Sequence, residues 1–532
     1  MAKVLGALLL CAAQAPAPLF DDLGTYQRPV RASPEAQKYF DQGLRLAYAF
    51  NHEEAIRAFQ RGAQIDPECA MCLWGVALAL GPNINLPTDP EREKLAWEMV
   101  QKAQLAVREP AEKDYVATVA RRYVNPPGPD RAALDKGYSD AMRELSGKYP
   151  ADDDAAVLFA ESLMDLRPWN LWTKDQKPQS GTAEIVATLE KVLARRPDHP
   201  GANHFYIHAV EASAHPEKAL DAAGRLASLE PGAGHLVHMP AHIYMRAGRY
   251  EEASEANRRA IAADRAYLER TKAEGFYSMM YVAHNFQFLW ASAAMEGRSA
   301  ESIGAARETA ARLPAEMLRA MESQMPGVDY YRAPPWFALV RFGNWKEVLA
   351  EPAPPEDLQL LSGAHRFARG MALAATGKLD EARSEHEALV SLLRSIPNEQ
   401  MLGPINAAQA VFAVADRLLA GELAARSGKT AAAVRSLREA VALEDALGYD
   451  EPPPWPLPAR HYLGALLLQA GRAREAESVY RDDLQRNPEN GWALFGLLQA
   501  LQKRGSRDAA GVRRRFEKAW ARADVKISAS RF

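Results

Sequence analysis

The chain of 532 residues is predicted to be all-α, and three observations carry that prediction. It is rich in Ala, Arg, Glu and Leu and poor in runs of Val, Ile and Thr, the balance that favours helix over strand. Its apolar residues return at helical spacing between breaks marked by Gly and Pro. It shows no strand-rich segment, phosphate-cradling glycine loop or nucleophile elbow. At 48% hydrophobic residues the chain can bury a sizeable core. Sixty-five basic residues nearly balance 68 acidic ones, and no basic stripe is interleaved with aromatics, which argues against nucleic acid as a partner.

Taken in order, the first twenty residues, MAKVLGALLLCAAQAPAPLF, read as an export signal over residues 1–15. Lys3 gives the charge, Val4 to Ala13 the short apolar core, and small residues a cleavage site. Export to the periplasm is therefore expected. Lipidation at Cys11 is disfavoured by Leu10, where a small residue is wanted. No later stretch reaches the eighteen apolar residues a membrane span needs. Cys69 and Cys72 then form the sequence ECAMC; Leu73 stands where haem attachment would need His. A local disulfide and a metal site are alternatives for this pair, and two small residues packed at a helix start is the preferred reading.

From residue 34 onward a pattern repeats. Tyr39, Gly43, Leu46, Ala55, Phe59, Gly62 and Pro67 mark one helix pair. Leu463, Gly464, Leu467, Ala476, Tyr480 and Pro488 mark another, and Trp492, Phe495 and Gly496 open a third. Gly370 with Ala382, Gly421 with Ala433, Leu437 and Ala440, and Ala219 with Pro231 mark further units. On these residues the chain resembles the tetratricopeptide-repeat family over nearly all its mature length. The resemblance implies a superhelical solenoid of helix pairs of about 34 residues, the Gly and Ala positions lying where helices pass closely. Two stretches of repeats are expected, 34–312 and 330–526. The interruptions Gly81–Pro90, Leu166–Gly181 (with Trp169 and Trp172), Pro314–Pro335, Glu351–Asp357 and Pro452–Pro458 read as connectors or lids.

Histidine is concentrated in one place. Eight of the twelve lie between His199 and His284. At about 100° per residue, His204, His208 and Glu211 share one helix face, as do His235, His238 and His242. Pro240 could open the second helix and leave His235 and His238 before it. A shift of 34 pairs Ala219 with Ala253, His204 with His238 and His208 with His242. A shift of 49 pairs Gly248 with Gly297 and His235 with His284. The resemblance implies that these places line the concave surface on which the family holds ligands. Tyr206, Tyr244, Tyr277 and Tyr281 lie near enough in sequence to support such a site. His52, His199, His215, His365, His386 and His461 sit singly and read as structural.

Imidazole suits copper, iron, zinc or nickel, whereas calcium and magnesium want oxygen. The expected ligands are His204, His208, Glu211, His235, His238, His242 and His284, holding copper or iron, with zinc less favoured. An exported metal-dependent oxidoreductase acting on a small molecule, with the Trp169 and Trp172 loop as lid, is one reading. A metal-free scaffold binding a peptide in the groove is the alternative. Metal identity, substrate and oligomeric state are not legible in the sequence.

Overall fold

A computed structural model describes residues 17–322 and 325–532; the expected export signal and Cys11 lie outside them. Among the described residues the fold is all-α apart from a short hairpin that pairs Met401–Leu402 with Asn406–Ala407 and two isolated bridges, Asn83 with Leu86 and Trp172 with Pro178. The chain divides into two compact units, residues 1–243 with 259–282, and residues 244–258 with 283–532. This division does not coincide with the two repeat stretches expected from the Pro-rich segment after residue 312.

Unit one begins with the antiparallel pair Pro34–Tyr48 and His52–Ile65, followed by Ala70–Leu80 and Pro90–Ala106. Next come Pro110–Ala120 and Arg131–Lys148, Asp153–Asp165 and Thr182–Arg195, then Pro200–Val210 and Leu220–Leu229. Local chemistry fixes the helix starts. Ser33, Asn51 and Asp152 each accept a hydrogen bond from a first-turn N–H, and Pro34, Pro90, Pro110 and Pro200 occupy first-turn positions where no N–H partner is lost. Gly43 and Gly75 explain why the first three helices pack closely: a Cβ on either would lie 2.6 or 2.5 Å from the ring of Phe59.

Unit two repeats the plan with Gln359–Ala375 and Leu379–Ser395, Ala408–Arg426 and Thr430–Asp445, Ala459–Gln469 and Ala473–Arg486, and Gly491–Lys503 and Ala509–Ala519. Gly464 and Gly496 face the ring of Tyr480 as Gly43 and Gly75 face Phe59. Gly471 turns the chain between Ala459–Gln469 and Ala473–Arg486 at φ 75°, a left-handed geometry that a Cβ disfavours.

Cys69 and Cys72 are joined by a disulfide, which corrects the expectation of two merely packed residues. Cys69 caps the helix Ala70–Leu80, and the three-residue spacing of a helix start brings the two Cα atoms to 5.4 Å, within disulfide reach. No helix among the described residues is long and apolar enough to cross a membrane.

Candidate metal centre

The site in unit one begins with the entry to Pro200–Val210. His199 caps that helix, its Nδ1 accepting from the Ala202 N–H at 3.2 Å. Gly201 then allows a close approach to the helix Pro34–Tyr48, because a Cβ there would stand 2.5 Å from the Tyr48 ring. That approach carries His204 to the carbonyl of Tyr48, with Nδ1 to O at 2.6 Å. The last carbonyls of a helix have no partner within it, so the histidine satisfies one of them. Tyr48 is fixed in turn by its hydroxyl, which donates to Asp154 Oδ1 at 2.5 Å.

Pro240 does open a helix, Pro240–Arg246, but His235 and His238 are not left in a loop. They lie on a one-turn helix of their own, Gly234–His238, joined to the next through Met239 in helical conformation. Glu211 continues the helical path just past Val210. Five imidazoles are thereby brought together, with ring centroids 4.9 Å apart for His204 and His208, 5.6 Å for His208 and His242, and 4.9 Å for His242 and His238. The circuit closes through His238 and His235 at 5.8 Å and His235 and His204 at 4.9 Å. All five rings and Glu211 are buried.

Hydrogen bonds set which nitrogens face inward. A carbonyl or carboxylate oxygen can only accept, so a nitrogen bonded to one carries the proton. His204 Nδ1 donates to Tyr48, His208 Nδ1 to Glu211 Oε1 at 2.8 Å, and His242 Nδ1 to Glu211 Oε2 at 2.5 Å. In each neutral ring the lone pair is then on Nε2. This is the arrangement of a metal-binding histidine, oriented from behind by an acceptor on its other nitrogen. The Nε2 atoms of His204 and His235 are 3.1 Å apart, and those of His238 and His242 are 2.9 Å apart. Two nitrogens bound to one ion at about 2.0–2.1 Å are separated by about 2.9 Å at a right angle and about 3.4 Å at a tetrahedral angle.

His204, His208 and His235 offer ligand atoms within 4.8 Å of one another, and so do His208, Glu211 and His242. The oxygens of Glu211 lie at 2.8 and 2.5 Å from imidazole nitrogens, the range of charge-assisted hydrogen bonds. Glu211, expected as a ligand, bonds the Nδ1 atoms of His208 and His242. Burial pushes its carboxyl up, but His242 and His208 outweigh that and hold it down to about 2, so it stays a carboxylate. Burial, then the neighbouring His208, keeps His204 well below the usual histidine range and hence neutral. His208 Nε2 is buried without a hydrogen-bond partner, a costly state for a lone pair unless something binds it.

Phe50, held at φ 56°, lies 4.5 Å from the His204 ring and stacks on His208 and His235 at 5.9 and 5.6 Å. Trp169 meets His208 edge-on at 5.3 Å and donates its indole N–H to Asn85, whose amide donates to the Tyr281 hydroxyl. Tyr281 packs on His235 at 4.7 Å. The Tyr277 hydroxyl accepts from the His235 backbone N–H and donates to Asp264. Tyr277 and Tyr281 are delivered by one turn of π-helix, Tyr277–Tyr281. The connector Leu166–Gly181 thus reaches His208 through Trp169, Gly81–Pro90 bonds Trp169 and Tyr281 through Asn85, and Trp172 anchors the former by donating to the Ala209 carbonyl. Phe50, Asn85 and Tyr48 escape sequence reasoning, because neither spacing nor residue type marks them.

His284 belongs to unit two, half-buried, with Nδ1 3.3 Å from Gln287 Oε1 and its ring against Phe288. Tyr206 bonds Glu190, and Tyr244, in unit two, lies beneath Arg249. His365 packs on Trp336, His386 bonds Asp416, and His215 bonds Glu217 at the surface.

Residues 237–267 match the tetratricopeptide repeat. No sequence among characterised proteins matches the chain. Among solved structures, a human IFIT1 dimer with m7Gppp-AAAA is 13% identical, with 93% of this chain and 92% of that one covered and a TM-score of 0.33. The yeast Tom70 structure is 11% identical over 90% of this chain and 91% of that one, at a TM-score of 0.29. The P58(IPK) TPR domain is 14% identical over 88% and 98%, at 0.23.

Proposed function

We propose that this chain, which matches the tetratricopeptide repeat over residues 237–267, binds a redox-active transition metal in its first unit, copper before iron, through the buried imidazoles. The observation that carries the proposal is the inward set of Nε2 lone pairs on rings pinned through Nδ1, with His208 Nε2 buried and unpartnered. His204, His208 and His235 would hold one ion, and the pair His238 and His242 offers a second position. An all-imidazole donor set favours copper, whereas non-haem iron commonly takes a carboxylate, and both oxygens of Glu211 are already engaged.

Bound copper would supply one-electron chemistry, which makes the unit a candidate oxidoreductase for a small molecule. The chain's own residues do the rest. Tyr48 and Glu211 keep the rings in one tautomer, while Phe50 and Trp169 exclude water around them. Export to an oxidising compartment belongs to the same proposal and is supported by the disulfide Cys69–Cys72.

Protein purified without chelator and reconstituted with copper is expected to retain it stoichiometrically by elemental analysis. Its Cu(II) resonance should show nitrogen hyperfine structure, and His204→Ala with His208→Ala should lose both. A chain that stays empty of copper, iron and zinc, yet captures extended peptides, would replace this reading with the metal-free scaffold.

A further inference from the structure

Unit two carries an unusual buried charge. Arg341 ends the helix Pro334–Arg341 and is 4% exposed. Its guanidinium meets no carboxylate of the described residues. Nη1 points to His461 Nδ1 at 3.0 Å, and Nη2 lies 3.9 Å from the sulfur of Met295, a weak acceptor. A guanidinium can only donate, so His461 Nδ1 is the acceptor and its proton sits on Nε2, which donates to Asp483 Oδ2 at 3.0 Å. Asp483 also accepts from Asn490. The nearby carboxylate is thus spent on a neutral imidazole and an amide and does not reach the arginine. The face of Trp492 lies 4.2 Å from the guanidinium carbon, which softens the cost of burial but supplies no anion. A buried cation without a counterion is expensive, and proteins normally pair it.

Arg341 also lines a partly enclosed cavity of about 40 Å³. Its walls are the rings of Trp290, Trp455 and Phe337, Met245 and Met295, and prolines of the segment Pro452–Pro458, which the sequence marked only as a break. Space of this size holds about three waters, close to the three heavy atoms of a carboxylate group. Glu444, the other ionisable side chain on the wall, accepts from the Ala459 N–H, and its carboxyl is pushed up by burial to about 8, so at neutral pH it adds little negative charge.

We propose that this cavity is a binding site for a short-chain monocarboxylate, whose carboxylate accepts from the Arg341 guanidinium and whose carbon chain lies against Trp290, Trp455 and Met295. The planar fork of a guanidinium matches a carboxylate in two parallel hydrogen bonds, and the apolar wall selects against strongly hydrated anions. The site is independent of the metal reading, because every residue it uses lies in unit two.

The test is a titration of the full chain with sodium acetate and propionate at constant ionic strength, followed by tryptophan fluorescence, melting temperature and saturation-transfer NMR. Acetamide serves as the uncharged control. Saturable binding of the acids and none of acetamide is expected. Arg341→Met should weaken binding by at least about tenfold, the worth of a charge-assisted hydrogen bond. Ala291→Leu fills the cavity while leaving Arg341 in place and should do the same, so it decides the matter if Arg341→Met fails to fold. Non-saturable binding, equal response to acetamide, or wild-type affinity in Ala291→Leu would overturn the proposal. Copper content measured on the same samples should not change.

Discussion

Glu211 shows how one side chain sets the chemistry of two others. Its two oxygens hold His208 and His242 by their Nδ1 atoms, and an amide has only one oxygen to offer. Glu211→Gln should therefore lower copper affinity by about 10- to 100-fold, the usual effect of losing an orienting partner, read by competition with a chelator. Phe50 makes the complementary point for packing. Its ring touches His204, His208 and His235 and is almost fully buried. Phe50→Ala should cost about 3–5 kcal/mol in urea unfolding. The histidines were legible because imidazole at spacings of three, four and seven is rare and directional. Phe50 and the Tyr48 carbonyl were not, since a phenylalanine after a helix and a backbone oxygen look the same in any sequence until the chain folds back on them.

At the scale of the helix pair, Gly43 and Gly75 both close on the ring of Phe59, and Gly464 and Gly496 repeat the device at Tyr480. Gly75→Ala should destabilise unit one by about 1–3 kcal/mol, because the ring between two helices has nowhere to move. The entry to the helix Pro200–Val210 depends on Asp154, which accepts from Tyr48, Tyr26 and Arg28. Burial pushes this carboxyl up, but His199 and Arg28 outweigh it and hold it well below its ordinary value of 3.8. A depressed carboxylate stabilises the fold above its unfolded pKa, and that contribution fades as pH falls through the folded one. Asp154→Asn should therefore lower the melting temperature by a constant amount from pH 7 to about 5, the gap narrowing only below about pH 4. The repeat itself was readable element by element, since small residues at fixed intervals record close helix crossings. The place of Asp154 was not, because its partners Tyr26, Arg28 and Tyr48 come from a segment more than a hundred residues earlier.

For the whole molecule, the two units should respond to different ligands. Hydrogen exchange is expected to slow over residues 200–243 when copper is added and over residues 334–341 and 459–469 when acetate is added, each leaving the other set unchanged. Replacing Cys69 and Cys72 by Ser should cost about 2 kcal/mol, the entropy of a very short loop, and leave copper content intact. Composition and the recurring Gly and Ala positions were sufficient by themselves for the all-α class, the helix pairs and the crowding of histidine into one segment. These are local properties, written in spacing along one helix and between neighbouring ones. Folding alone decided that Glu211 would bond His208 and His242 through their Nδ1 atoms, and that Arg341 would be buried facing a proline-rich wall. Those outcomes depend on which distant segments supply the acceptors and walls, and a periodic sequence repeats the same helix many times without saying which copies meet.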